Sequence, residues 1–280
     1  KRGLNIDLKI NEDVKIFLNK ISTSLNYKIS KKEWLKKCYD WKIKYPIVDK
    51  KYFKEKKYVN PYIFIDSLSK KLSSKETIIA DDGGHLTWTL QAFKIKKGQR
   101  VWSNSGSATM GYDLPAAIGA CYSSGMKDIV CITGDGSIMM NLQELETIKS
   151  NQLPIKIIII NNKGYVSMFQ TQKNFFNGKE FGSGPKSGVT FPSFRKIASS
   201  FGFKYEACKD ISKLEREVKK LLKKSSGILE VFVDPNQRFE PKLGAKQHPD
   251  GTITSPPLED LSPFLSKEEL QENMIIPVHE

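Results

Sequence analysis

Long apolar runs are missing from these 280 residues. The longest, residues 155–160, carries Lys156 and falls far short of the roughly 20 residues that span a bilayer, so no membrane partner is expected. Cysteine is scarce. Cys38, Cys121, Cys131 and Cys208 show no CxxC spacing, which argues against a thiolate zinc site or a disulfide framework and fits a reducing, cytoplasmic setting. Cys121 and Cys131 lie in apolar segments and read as packed thiols. Histidine is scarcer still: His85, His248 and His279 cannot build a His-rich metal centre. No GxGxxG follows a strand pattern. The stretch Gly182-Ser183-Gly184-Pro185-Lys186-Ser187 lacks P-loop spacing, and Pro185 removes an amide that a phosphate cradle would need. The first residue is Lys1 and no signal segment follows it, so the chain is expected to begin inside a longer protein.

Positive charge is in excess, at +14. The lysines are spread along the chain and accompany abundant Asn and Ile. The enriched stretch 213–224 has Leu214, Val218, Leu221 and Leu222 at helical spacing, which makes its charges a solvated face. A nucleic-acid partner is therefore not expected.

Chemistry concentrates at Gly134-Asp135-Gly136-Ser137, with Asn161-Asn162 following. An apolar strand, residues 129–133, precedes the glycines. A helix, residues 141–150, and a second apolar strand, residues 155–160, follow. A strand–turn–helix–strand unit makes the two strands parallel and adjacent. Asp135 and Asn162 then meet at the carboxyl edge of one sheet, where open α/β sheets bind ligands. A carboxylate and an amide oxygen are hard ligands suited to Mg²⁺, and Gly136 and Ser137 offer amides to phosphate.

Elsewhere the pattern alternates. Helices are expected at 61–72, 114–122, 194–201 and 214–222, and strands at 77–80, 100–102 and 228–233. The fold class is α/β, a three-layer sandwich with a mainly parallel central sheet. Residues 171–190 read as a long functional loop and 237–280 as a Pro-punctuated tail, with Ser266 and Glu269 at capping-box spacing. Residues 26–58 read as a surface helix and linker whose Trp34 and Trp41 dock on a neighbouring surface.

Gly134-Asp135-Gly136 running to Asn161-Asn162 resembles the diphosphate-binding motif of thiamine-diphosphate (ThDP) enzymes. The likeness extends from about residue 60 to 234 and is similar in form to the acetolactate (acetohydroxyacid) synthase-like group. Ser107-Ala108-Thr109-Met110-Gly111-Tyr112 with residues 114–119 looks like that group's block before the metal motif, and Asp81-Asp82-Gly83-Gly84-His85 resembles its Asp-x-Gly-x-His turn.

The resemblance implies ThDP and Mg²⁺ as cofactors. Metal ligands would be Asp135, Asn162 and the carbonyl of Gly164. Gly83, Gly84, His85, Ala108, Met110, Gly134, Gly136, Ser137 and Tyr165 would complete the cofactor site. Met110 matches the residue that props the cofactor's bent form, and Ala108 stands where the family has Gly. The resemblance further implies a decarboxylase or carboligase for a 2-oxo acid such as pyruvate, and a homodimer or homotetramer with shared sites. The activating glutamate belongs to the family's N-terminal domain, so no catalytic residue is expected here and residues 1–280 alone should not turn over.

Residues 1–25 resemble the end of the central domain, with 6–10 as its last strand and 13–18 in its last helix; FAD binding in that domain is left open. Residues 26–58 form the linker, 59–235 the diphosphate-binding domain and 236–280 the tail. A ThDP-binding subunit of a split decarboxylase or oxidoreductase is the alternative. Gln170-Thr171-Gln172 departs from the synthases' Gln-Trp-Gln, so Gln170 and Thr171 are the candidate substrate residues and a keto-sugar or other aldehyde becomes a possible acceptor.

Overall fold

The computed structural model describes residues 6–24, 31–54, 57–248 and 250–277. Parts of the expected segments 1–25 and 26–58, and His279, lie outside them. The chain divides into two compact units, Lys1–Pro46 and Ile47–Glu280.

The first unit holds α1 (Val14–Ser24) and α2 (Lys32–Lys44), neither of which buries a residue. The strand expected at residues 6–10 is not formed. Ile6, Leu8 and Ile10 are exposed, and the unit contains no described strand to pair with their backbone. Trp34 and Trp41 pack edge to face against each other, with centroids 5.7 Å apart.

The second unit opens with α3 (Pro61–Lys71). Pro61 occupies its first turn and the Asn60 side chain accepts the Tyr62 and Ile63 amides, an N-cap of the ordinary kind. Then follow β1 (Thr77–Ala80), α4 (Gly84–Ala92), β2 (Arg100–Trp102), α5 (Asp113–Ser123), β3 (Ile129–Gly134), α6 (Glu144–Ser150) and β4 (Ile155–Asn161). After these come α7 (Val166–Phe175), α8 (Phe194–Ser200), β5 (Tyr205–Cys208), α9 (Leu214–Leu222) and β6 (Gly227–Phe232). The strands form one parallel sheet in the order β2-β1-β3-β4-β6-β5. This is the expected α/β sandwich. The tail falls in the same unit. It adds a small hairpin, β7 (Lys246–Gln247) with β8 (Ile253–Thr254), and α10 (Lys267–Asn273), whose cap is the Ser266 hydroxyl accepting the Glu269 amide.

Strand periodicity sorts the core into two layers. Val130 and Ile132 of β3 and Ile158 and Ile160 of β4 face a cluster built on α3, α4 and α9, through Tyr62, Trp88 and Val218. Ile129 and Cys131, with Ile157 and Ile159, face α5, α6 and α8 through Leu114, Leu145 and Phe194. A strand covered on both sides needs apolar residues at every position, which is why β3 and β4 read as continuous runs. Each such side chain contributes about 1.5–3 kcal/mol on burial. Lys156, 2% exposed, reaches Asp128 at 2.9 Å.

Two local expectations are corrected. The helix after Gly-Asp-Gly-Ser starts at Glu144, behind a 3₁₀ turn at Ile138–Met140. Asn141 breaks the path because its side-chain amide is drawn to Gly111 O at 2.7 Å. The supposed loop at 171–190 begins as helix: α7 runs to Phe175. Gln172 on that helix gathers the chain beyond it, donating to Phe181 O at 2.7 Å and accepting the Ser183 hydroxyl at 2.7 Å. Strand β5 was not anticipated. It lies at the sheet edge with only Cys208 fully buried, so its apolar signal is weak.

Candidate functional site

Parallel register brings the site together. Ala80 of β1 pairs with Ile132 of β3, and Gly134 of β3 pairs with Ile160 of β4. The segments that follow these strands, 81–85, 135–137 and 162–165, therefore emerge side by side at the carboxyl edge.

Asp135 is 1% exposed. Its Oδ1 accepts the Gly136 amide at 2.9 Å and its Oδ2 the Gly164 amide at 3.2 Å. Burial pushes its carboxyl up to about 7, and the backbone amides of Lys163, Gly136 and Gly164 oppose that rise without cancelling it. Asn162 donates through Nδ2 to Gly164 O at 2.7 Å, which turns its Oδ1 away from that bond. The result is a buried carboxylate, an amide side chain and a backbone carbonyl gathered within one turn. All can offer oxygen, the donor type for Mg²⁺. The residues therefore fit a hard divalent cation, whose charge would offset the burial of Asp135.

Two glycines are required by this packing. A Cβ on Gly136 would lie 2.4 Å from Tyr165 Cε1, and one on Gly164, at φ +154°, would lie 2.3 Å from Ser183 O. The Tyr165 ring is fixed edge-on against Phe191.

Beneath this lies a buried polar cluster of Asp81, His85 and Asp113. Asp81 Oδ1 faces His85 Nε2 at 2.6 Å, while Oδ2 accepts the Ser137 hydroxyl at 2.6 Å and the Gly111 amide at 2.6 Å. Asp113 accepts the Leu114 amide at 2.6 Å. Burial, then the neighbouring Asp81 carboxylate, pushes the Asp113 carboxyl up to about 7. Sequence reasoning missed Asp81 and Asp113 as site residues. For Asp81 the signals were its place in the Asp-x-Gly-x-His turn and its i, i+4 spacing from His85; for Asp113 there was none.

A cavity of about 140 Å³ opens above these groups. Every residue expected to hold the cofactor lines it except Ala108, which sits in the exposed turn leading to Met110. Ala108 has φ +52°, a left-handed conformation that favours glycine. A second cavity, of about 280 Å³, shares Asn162, Gly164, Tyr165 and Val166 with the first and continues to Phe169, Pro185 and Asn236. Of the candidate substrate residues, Gln170 is buried and donates to Gln237 O at 3.1 Å. Thr171 faces solvent on α7, its hydroxyl bonded back to Ser167 O at 3.1 Å, and it lines neither cavity. No helix among the described residues is long and apolar enough to cross a membrane.

Fold and site together define an α/β domain that presents a glycine-lined cavity and an oxygen-donor set at the carboxyl ends of parallel strands. The family model described as "Thiamine pyrophosphate enzyme, C-terminal TPP binding domain" matches residues 81–231, more than half of the chain. The chain belongs to that family of thiamine-diphosphate-binding domains. It is similar to the acetolactate synthase large subunit of Cyanidium caldarium, 36% identical over 75% of this chain and 36% of the relative. It is also similar to that of Porphyra purpurea, 32% identical over 70% of this chain and 32% of the relative. Acetolactate synthase isozyme 1 large subunit of Escherichia coli is 35% identical over 52% of this chain and 25% of the relative. The chain thus spans about a third or less of the length of these relatives.

Proposed function

We propose that this chain is the diphosphate- and Mg²⁺-binding part of an acetolactate synthase-like enzyme. That enzyme decarboxylates a 2-oxo acid such as pyruvate and joins the remaining unit to an acceptor carbonyl. Asp135, Asn162 and the Gly164 carbonyl hold the cation. His85 and the Gly83, Gly84, Gly136 and Ser137 segments receive the diphosphate, and Met110 supports the cofactor's bend. When bound, ThDP supplies a nucleophilic thiazolium carbon and a sink for the electron pair left by CO₂ loss. The chain's own work is to anchor charge, exclude water and fix orientation.

No glutamate lines the smaller cavity. In this reading the group that activates the pyrimidine ring comes from another domain, in an oligomer whose sites are shared. The observation that carries the reading is the buried Asp135 carboxylate beside Asn162 and Gly164 O, at the edge of a cavity that also holds His85. Support comes from the synthase relatives.

Calorimetric titration of the chain with ThDP tests it. Binding that requires Mg²⁺ is expected. ThDP binding indifferent to Mg²⁺, or absent at millimolar cofactor, would refute it.

A further inference from the structure

Three segments distant in sequence contribute to the smaller cavity: 81–85 through His85, 107–112 through Met110, and 134–137 through Ser137. One side chain joins all three. Asp81 is fully buried and does not line the cavity. Its Oδ1 meets His85 Nε2, and its Oδ2 takes both the Ser137 hydroxyl and the Gly111 amide. Gly111 N also lies 3.0 Å from Ser137 Oγ, so the second and third segments are cross-tied.

We propose that Asp81 is a positioning residue of the diphosphate cradle: an internal anion that sets the His85 imidazole, the Ser137 hydroxyl and the Met110–Gly111 turn in their binding geometry before any ligand arrives. This rests on reading the cavity as the diphosphate site. The reasoning is one of donors and acceptors. An ionised carboxylate only accepts, so it makes His85 donate through Nε2 and fixes the ring's tautomer and plane. The opposite nitrogen, Nδ1, then lies over two cavity glycines: a Cβ on Gly83 or on Gly134 would each sit 2.9 Å from it.

The neighbouring Asp113 has the Leu114 amide and the Thr133 hydroxyl as donors, whereas Asp81 faces three. Burial and the nearby Asp81 carboxylate push the Asp113 carboxyl upward, so Asp113 holds a proton more readily than an ordinary carboxyl. Both Asp81 oxygens are already committed, so the cluster is a hydrogen-bond network rather than a cage for a second metal.

Asp81→Asn keeps the shape but leaves one oxygen and an NH₂ group to face three donors, so at least one donor loses its acceptor. Removal of a group that orients ligands costs typically about 10–100-fold in affinity. The experiment titrates the wild-type chain and Asp81→Asn with ThDP and, separately, with inorganic pyrophosphate, both with Mg²⁺. It also records the ¹⁵N spectrum of His85, one of only three histidines.

The wild type should show His85 protonated on Nε2. The variant should fold, bind both probes about 10–100-fold more weakly, and show a mixed tautomer. A folded variant with wild-type affinity for both probes overturns the proposal, as does a wild-type His85 whose Nε2 carries no proton. If the variant does not fold, the wild-type spectrum alone decides. A wild-type chain that binds neither probe defeats the reading of the cavity instead, and the His85 spectrum still decides whether Asp81 acts as stated.

Discussion

The two ends of the segment that follows β4 are built on different terms. At its start, residues 162–166 join a cradle in which Asp81, Asp135 and Ser137 are almost wholly buried and hydrogen-bonded. A few residues on, the end of α7 and the chain after it expose Phe176 and Phe181, the latter at 85%. The cradle is tied together by hydrogen bonds among segments that leave the sheet's carboxyl edge. The surface at Phe176 and Phe181 is apolar and exposed among the described residues. On the function proposed above, the difference would separate two tasks: anchoring charge, which requires preorganised buried groups, and admitting a substrate, which requires a surface that a further element can close. Substitutions in the cradle should therefore act on binding and stability within this chain. Those at exposed positions of α7 such as Thr171 should be silent until the site is complete.

The largest effect is expected for Asp135→Ala. It removes the carboxylate from the proposed donor set and leaves the diphosphate charge without its cation. Mg²⁺-dependent ThDP affinity should fall by roughly 100-fold or more, beyond the loss typical of an outer-shell partner. Calorimetry with and without Mg²⁺ measures it, and an unchanged affinity would place the metal elsewhere.

Next is the cost of the buried acid pair. Asp113 ionises at about 7 in the fold against 3.8 ordinarily, first because of burial and then because of Asp81. A raised acid pKa means that the folded chain holds its proton after the unfolded chain has lost it. Its contribution is complete below about pH 4 and is lost as pH rises through about 7, amounting to a few kcal/mol at most. Asp113→Asn has no proton to lose. Its stability relative to wild type should rise between pH 4 and 7 and then level off. Urea midpoints at a series of pH values test this, and a constant difference would show Asp113 ionised throughout.

These groups mark what could be read from residue order alone. The apolar runs of β3 and β4 and the Gly-Asp-Gly turn were plain, because parallel strands buried on both faces and tight turns leave local signatures. The meeting of Asp81 with Asp113 was not, since it arises from sheet packing between residues 32 positions apart. The extent of α7 was also obscured. Gln170, Thr171, Gln172 and Lys173 offer little apolar spacing, and tertiary bonds from Gln170 and Gln172 fix that turn. Residues 6–10 erred in the other direction: the resemblance to the family's central domain implied a strand, but a strand exists only where a partner supplies its hydrogen bonds.

A smaller effect belongs to the rim of the cradle. Ala108 holds φ +52° where the family pattern has Gly. Ala108→Gly relieves the left-handed strain but frees the unfolded chain, so the net gain should be about 0.5–1 kcal/mol. Denaturant unfolding would show it. A loss of stability would mean that the methyl group makes a favourable contact that outweighs the strain.

The smallest effect on this chain is expected for Thr171→Trp, and that makes it a clean probe of the other side of the comparison. Thr171 is exposed, and its hydroxyl only returns to Ser167 O, a bond that does little for a helix. An exposed substitution of this kind changes stability by no more than about 0.5 kcal/mol. We propose that its influence appears once the pyrimidine-binding domain completes the site. An indole would then fill space that Thr leaves to a larger or more polar acceptor, and one methylene in an apolar pocket already discriminates by about 1–3 kcal/mol. In a turnover-competent assembly, Thr171→Trp should shift product ratios toward small 2-oxo acids such as pyruvate and 2-oxobutyrate while unfolding midpoints stay unchanged. If the acceptors compete identically before and after the change, α7 does not shape the acceptor site, and the contrast between a closed cradle and an open substrate face would have to be drawn elsewhere on the surface.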